Sequence, residues 1–128
     1  MKNILVDTNI FLEILLDQEK KDQCKEFLKK NINRILISDF SLHSVGVILL
    51  RNKKDNVYLR FINDMLANVN IVSLSKEKYK DVAIVAMNYN LDFDDSYQTN
   101  VAIDKKIGIV TMDKDFRRVE KKLKIEFI

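Results

Sequence analysis

The sequence has no proline and only two glycines, Gly46 and Gly108, among its 128 residues. Glycine-rich phosphate loops of the dinucleotide-binding and Walker types need several glycines for close backbone approach, so both are excluded. No segment is rich enough in glycine or proline to form a flexible linker. The shortage of turn residues also argues against an all-β sandwich. Because 47% of the residues are hydrophobic, the chain can bury a core, and its length suits one domain over residues 1–128.

Multiple cysteines, a strong net charge and long apolar runs are also missing. A single cysteine, Cys24, excludes an internal disulfide and a thiolate metal cage. The formal net charge of +3 does not by itself indicate a nucleic-acid partner. Met1, Lys2 and Asn3 precede too few apolar residues for a signal peptide, and the apolar run 45–50 is too short to span a bilayer. We therefore expect a cytoplasmic protein with no membrane partner.

Short apolar strands alternate with amphipathic helices along the chain. This alternation predicts an α/β fold of three layers (α/β/α) with a central, mostly parallel sheet. Ligands bind such sheets beyond the carboxyl ends of the strands. The periodicity predicts strands at 3–6, 34–37, 71–72, 109–111 and 125–128. It predicts helices at 8–16, 18–31 and 54–68, a helix that begins at 38 or 39, one that begins at 75, and one that runs from 94 or 95 to 102. Residues 113–122 are predicted to form a helix or a turn.

Aspartate is in excess, with 13 Asp against 6 Glu. Asp7 and Asp113 follow predicted strands, and Asp94 and Asp95 lie at a predicted helix start. In a parallel sheet these positions share one rim, so the carboxylates are expected to converge, although each could instead cap a helix. Converging carboxylates repel one another unless a cation is bound, and oxygen ligands select Mg²⁺ or Mn²⁺. An ion held in this way supplies a nucleophilic water for phosphate chemistry.

Three segments, VDTNI at 6–10, LDFDDSYQ at 91–98 and VTMDKDF at 110–116, together resemble the PIN domain. That is the nuclease fold of VapC-type toxins and of many solitary ribonucleases. The resemblance implies metal-dependent endonucleolytic cleavage of RNA, with a toxin of a toxin–antitoxin pair as one role. It also implies metal-binding, catalytic acids at Asp7, Asp95 and Asp113, an additional ligand at Asp94, and supporting side chains at Asn9 and Thr111.

The sequence departs from the family pattern in the helix after the second strand. Members commonly have a Glu there, but the alignment places Ser44 at this position, beside His43. The alternative hypothesis is therefore a catalytically weakened PIN domain that binds RNA or a protein. We interpret His43 as a packed or partly exposed residue and Glu13 as a solvated helix charge. Phosphoryl transfer to an aspartate is disfavoured, because Asn9 interrupts the D-x-D pattern of dehalogenase-like domains.

Basic residues cluster directly after the last motif. Lys114, Arg117 and Arg118 open a stretch of six basic residues over 114–124, and we predict that they contact RNA phosphates. The lysines of 20–30 fit a solvated helix face equally well. No aromatic-rich motif for base stacking is apparent. Apolar residues beyond the need of one helix face predict either an antitoxin or homodimer contact, or burial in the core: Leu12, Leu16, Val47 and Leu50.

Overall fold

The computed structural model describes residues 3–128; Met1 and Lys2, which the signal-peptide argument used, lie outside the described residues. One five-stranded sheet has the order β3-β2-β1-β4-β5, and its pairings are all parallel. The strands are β1 (Ile4–Val6), β2 (Ile35–Ser38), β3 (Asn70–Val72), β4 (Gly108–Thr111) and β5 (Ile125–Phe127). The helices are α1 (Thr8–Leu15), α2 (Lys21–Lys30), α3 (Asp39–Arg51), α4 (Asp55–Met65), α5 (Tyr79–Tyr89) and α6 (Phe93–Lys105).

Two hydrophobic clusters cover the two faces of the sheet. Successive strand residues point to opposite faces, so Ile4 and Val6 pack with α1 to α4, whereas Leu5 packs with α5 and α6. The fold is thus three-layered with a parallel sheet, and the predicted fold class is confirmed. Within residues 3–128, none of the helices has the length and apolar character that a bilayer crossing requires.

The strand order reverses at β1, which pairs with β2 on one side and with β4 on the other. Such a switch leaves a crevice beyond the carboxyl ends of the two central strands, where the connections diverge to opposite faces. Val6 is in register with Val110, so the residues that follow β1 and β4 are brought side by side. The topology therefore defines the place of the candidate site.

Several element boundaries differ from the prediction. Helix α6 begins at Phe93 after its N-cap residue Asp92, so neither Asp94 nor Asp95 opens it; both lie in its first turn. Residues after β4 form a 3₁₀ helix at Lys114–Val119, and further 3₁₀ turns occupy Ile32–Arg34 and Lys76–Lys78. Gly108 meets a steric need, because a Cβ there would lie 2.9 Å from the main-chain oxygen of Lys124 in the neighbouring segment.

Candidate metal centre

Asp7 lies at the start of the crevice, immediately after β1, and is almost fully buried. Its Oδ2 accepts a hydrogen bond from Thr111 Oγ1 at 2.7 Å, and its Oδ1 accepts from Gln98 Nε2 at 3.2 Å and from the Thr8 main-chain N–H at 2.9 Å. Burial raises the pKa of Asp7, while the bonds from Thr111, Gln98 and Thr8 oppose that rise. The carboxylate is therefore held in one orientation by three elements, at the expense of its hydration.

Thr111 and Asn9, which the resemblance implied as supporting side chains, connect the ends of β1 and β4. Besides donating to Asp7, Thr111 Oγ1 accepts from the Asp113 main-chain N–H at 2.9 Å and from Asn9 Nδ2 at 3.4 Å. Asn9 Oδ1 in turn accepts from the Met112 main-chain N–H at 3.3 Å. One threonine hydroxyl thus sets the positions of two of the acids, Asp7 and Asp113.

A cluster of three acids lies where α6 begins and β4 ends. Asp95, Asp113 and Asp115 bring carboxylate oxygens within 4.8 Å of one another. Partial burial, which has the largest effect, and the nearby charges of Asp7 and Asp113 together raise the pKa of Asp95 to about 7. An acid whose ionisation is opposed by its neighbours marks an excess of negative charge that a cation would relieve.

The donor set fits a hard divalent cation. Carboxylate oxygens are its only charged groups, with no thiolate or imidazole among the three, and Mg²⁺ and Mn²⁺ prefer such ligands over nitrogen or sulfur. The cluster is half-buried at Asp95 and Asp113 and exposed at Asp115, which leaves room for water and for a phosphate. These residues could therefore hold the metal that the sequence predicted.

The acidic cleft is the cavity of about 240 Å³ in which Asp7, Asp94, Asp95 and Asp113 meet. All four sequence-predicted acids line it, so the convergence expected from the strand ends is present. Ser44 of α3 lines the same cleft. Its hydroxyl therefore faces the four acids without adding a charge to them.

Sequence reasoning missed three residues of this region. Asp115 was not among the predicted acids, although it lies in the segment VTMDKDF, two residues after Asp113. Gln98 and Ser41 gave no signal, because buried polar side chains follow no simple periodicity. Gln98 Nε2 donates to Ser41 Oγ at 2.7 Å as well as to Asp7, and Ser41 Oγ lies 2.7 Å from Thr8 Oγ1. Hydrogen bonds among Gln98, Ser41 and Thr8 thus connect α6, α3 and α1.

The basic residues after β4 are engaged within the chain to different degrees. Arg118 donates to the Asn90 main-chain oxygen at 2.7 Å and lies 3.5 Å from Asp115, so it borders the acidic cluster directly. Arg117 lies over the ring of Phe127, 5.5 Å from its centroid. Lys114 is exposed. All three remain at the surface, which is compatible with phosphate contact.

Five further side chains that the sequence singled out differ in their surroundings. Glu13 was wrongly interpreted as a solvated charge; it is buried and accepts the Lys20 main-chain N–H at 2.8 Å, which satisfies a donor at the start of α2. His43 is exposed. Of the surplus apolar residues, Leu12 and Leu16 pack against the core, whereas Leu50 is 52% exposed.

Comparisons with known proteins agree with this geometry. A family model described as "PIN domain" matches residues 4–122, while no curated protein matches the chain significantly. VapBC2 from Rickettsia felis bound to a promoter DNA fragment has a TM-score of 0.78 at 19% identity over 97% of both chains. A toxin–antitoxin complex from Klebsiella pneumoniae has a TM-score of 0.73 at 21% identity over 89% of this chain and 90% of that one. FitAcB from Neisseria gonorrhoeae has a TM-score of 0.70 at 18% identity over 96% of both.

Proposed function

The chain belongs to the PIN domain family, and on that premise we propose that it is an endoribonuclease that requires Mg²⁺ or Mn²⁺. PIN domains are generally nucleases that use a divalent metal. The observation that carries the proposal is the cluster of Asp95, Asp113 and Asp115 at the switch point of the sheet, with the pKa of Asp95 raised to about 7. No serine, cysteine or histidine nucleophile is needed, because water attacks the phosphodiester.

We assign different roles to the buried or half-buried acids and to the exposed ones. Asp7, Asp95 and Asp113 are the proposed catalytic residues, and Asp94 and Asp115 complete the ligand set at the open side of the cleft. When bound, a divalent cation supplies an activated water and neutralises the charge that develops on the phosphate oxygens. Asp95 must lose its proton when the cation binds, so metal affinity is expected to rise with pH.

Positioning residues maintain this arrangement before substrate arrives. Thr111 and Gln98 hold Asp7 through both of its carboxylate oxygens, and Thr111 also aligns the main chain at Asp113. Asn9 and Ser44 are proposed to support the same site. Such second-layer hydrogen bonds keep ligands in the required geometry without reorganisation during the reaction.

The basic side chains are proposed to bind the RNA backbone. Lys114, Arg117 and Arg118 follow the acids directly, so a strand whose phosphate lies at the metal would pass beside them. Arg118 is anchored at Asn90 and Asp115, and its guanidinium therefore approaches a phosphate from a fixed position.

An antitoxin is the proposed protein partner. Two similar solved structures are described as a toxin–antitoxin complex and as VapBC2 bound to a promoter DNA fragment, and a chain of the same fold would pair with an inhibitor in the same way. We propose in addition that the chain forms a homodimer. If a neighbouring gene encodes a small protein, co-expression and co-purification with it would test the first proposal. Sedimentation of the purified chain would test the second.

The decisive experiment compares two aspartate-to-asparagine variants on single-stranded RNA. With Mg²⁺ or Mn²⁺ we expect cleavage by the wild type, none after chelation, and a loss of at least about 100-fold in Asp113→Asn. The matched control is Asp64→Asn, an exposed acid on α4 away from the cleft. If Asp113→Asn cleaved as fast as the control, the assignment of the site would be wrong.

Ser44 favours a second candidate function. Because a hydroxyl faces the cleft where the family commonly has a Glu, fewer charges hold the cation, and the chain would act as a module that binds RNA or a protein without cleaving. RNA binding that a chelator leaves unchanged, with no cleavage under either metal, would establish this alternative. Metal-dependent turnover would eliminate it.

A further inference from the structure

A second cleft, of about 560 Å³, opens beside the acidic one. We refer to it as the aromatic cleft, since four rings line it together with Asp39 and His43: Phe40, Tyr79, Phe93 and Tyr97. Phe40 and Asp94 belong to both clefts, so the two cavities are contiguous. A group bound in the aromatic cleft would lie next to whatever occupies the proposed metal centre.

The rings differ in how firmly they are held. Tyr97 is buried; its hydroxyl donates to Asp39 Oδ1 at 2.6 Å and accepts from the Leu74 main-chain N–H at 3.2 Å. The centroids of Tyr79 and Phe40 lie 5.7 and 6.1 Å from that of Tyr97. Tyr79 nevertheless remains 44% exposed, and Phe93 is 53% exposed. The cleft thus has a buried, hydrogen-bonded floor at Tyr97 and two partly exposed rings, Tyr79 and Phe93, that a ligand can contact.

Polar groups at the rim are suited to the edge of a base. Asp39 Oδ1 accepts both the Tyr97 hydroxyl and the Phe40 main-chain N–H. Its Oδ2 has no hydrogen-bond donor within residues 3–128, so it can accept from an amino or imino group. The exposed imidazole of His43 adds a donor or acceptor.

Cations beside an exposed ring suit the phosphates of a nucleic acid. Tyr79 lies in the segment KEKYK at 76–80, in which Lys76, Lys78 and Lys80 are exposed and Lys78 also lies 3.2 Å from Asp104. Lysines interleaved with an exposed ring are typical of surfaces that track a single strand, where the phosphates meet the cations and the bases stack. Only an unpaired base presents its face and its Watson–Crick edge together.

We propose that the aromatic cleft binds one unpaired nucleobase of the RNA, stacked on Phe93 and Tyr79, beside the phosphate that is cleaved. This inference rests on the proposed function and adds to it a site for one base beside the cleaved phosphate. The sequence showed no stacking motif because the four rings come from three separate segments, around residues 40, 79 and 93–97.

The test uses the full chain, with calcium replacing the catalytic metal and RNA integrity checked on a denaturing gel. Fluorescence anisotropy compares a single-stranded RNA that contains 2-aminopurine with an abasic strand of the same length. Phe93→Leu and Tyr79→Leu remove a stacking face, Phe93→Tyr preserves it, and the control Met87→Ala truncates a 74% exposed apolar side chain on α5 that does not line the cleft.

We expect Phe93→Leu to weaken binding of the base-containing strand by about 5- to 100-fold and to abolish the quenching of 2-aminopurine. Phe93→Tyr and Met87→Ala should retain both signals, and the abasic strand should bind equally to all the proteins. Equal binding of the base-containing strand by wild type and Phe93→Leu would overturn the inference. So would an equal loss on the abasic strand, or a change in sedimentation without a change in RNA binding, because the face would then contact the backbone or another protein.

The outcomes also separate this inference from the proposed function. Metal-dependent cleavage by the wild type, with unchanged binding by Phe93→Leu, overturns base stacking alone. Base-dependent binding without cleavage under Mg²⁺ or Mn²⁺ overturns the nuclease and leaves the stacking site intact. A wild type that binds no RNA overturns both.

Discussion

Replacing Asp95 by Asn should stabilise the protein while abolishing its activity. Burial and the charges of Asp7 and Asp113 raise the pKa of Asp95 from 3.8 to about 7. Between these two values the folded state binds the proton more tightly than the unfolded state does, so stability falls as pH rises through the interval. Above pH 7 the destabilisation is complete, and an uncharged amide avoids it.

The magnitude follows from the size of that rise. At 1.36 kcal/mol for each pKa unit, the upper bound is about 4 kcal/mol. Asp95 is only half-buried, and water screens its charge, so we expect about 1–2 kcal/mol at pH 8. For a domain of this size, 1 kcal/mol moves Tm by about 3–4 °C. Asp95→Asn should therefore melt about 3–8 °C above the wild type.

The assay is thermal unfolding followed by circular dichroism in chelator, at several values between pH 4 and 8. The advantage of Asp95→Asn should shrink towards zero near pH 4, and Asp64→Asn should show no comparable trend. Added Mg²⁺ or Mn²⁺ should then stabilise the wild type more than the variant, because the ion binds the folded state. A variant less stable than wild type at pH 8, or a difference independent of pH, would refute the electrostatic reasoning.

Three further changes probe other parts of the molecule. Ser44→Glu adds a charge to the acidic cleft, so calorimetry should show tighter Mn²⁺ binding than in the wild type. In chelator the variant should melt at a lower temperature than the wild type. Unchanged Mn²⁺ affinity would mean that position 44 does not reach the ion. Thr111→Val removes the donor to Asp7 and the acceptor for the Asp113 N–H, so cleavage should fall by about 10- to 100-fold and stability by about 1–3 kcal/mol; wild-type kinetics would contradict its positioning role. Lys106→Gly should raise the free energy of unfolding in urea by about 0.5–1 kcal/mol without altering cleavage. Lys106 ends α6 with a φ of 57°, and glycine adopts that conformation without strain. A loss of stability would show that contacts of the Lys106 side chain outweigh this strain.

The aspartates illustrate how far sequence alone reaches. Asp7 and Asp113 were placed correctly beside one cleft, because an acid after a buried strand of a parallel sheet has only one rim to occupy. Their exact partners were not predictable, since Gln98 and Ser41 reach Asp7 from α6 and α3. Such contacts depend on how the helices pack across the sheet, and this packing leaves no local periodicity.

Glu13 and Phe93 show that residue type alone does not determine burial. Glu13 is a charged residue on a helix, so it was expected to be exposed to solvent. The turn between α1 and α2 instead brings the Lys20 N–H to its carboxylate, and the side chain is buried. Phe93 is an apolar residue within the segment LDFDDSYQ, yet 53% of it is exposed. Burial depends on which elements come together in three dimensions, and that information is distributed over the whole chain.

The order of strands and helices, the acids at the strand ends and the lack of glycine loops were all readable from the residues, because each depends on neighbours within a few positions. Three features exist only after folding: the acidic cluster with Asp115, the raised pKa of Asp95 and the aromatic cleft. The sheet brings β1 and β4 together across about a hundred residues, and Coulomb repulsion, desolvation and stacking act over ångströms in space irrespective of separation along the chain.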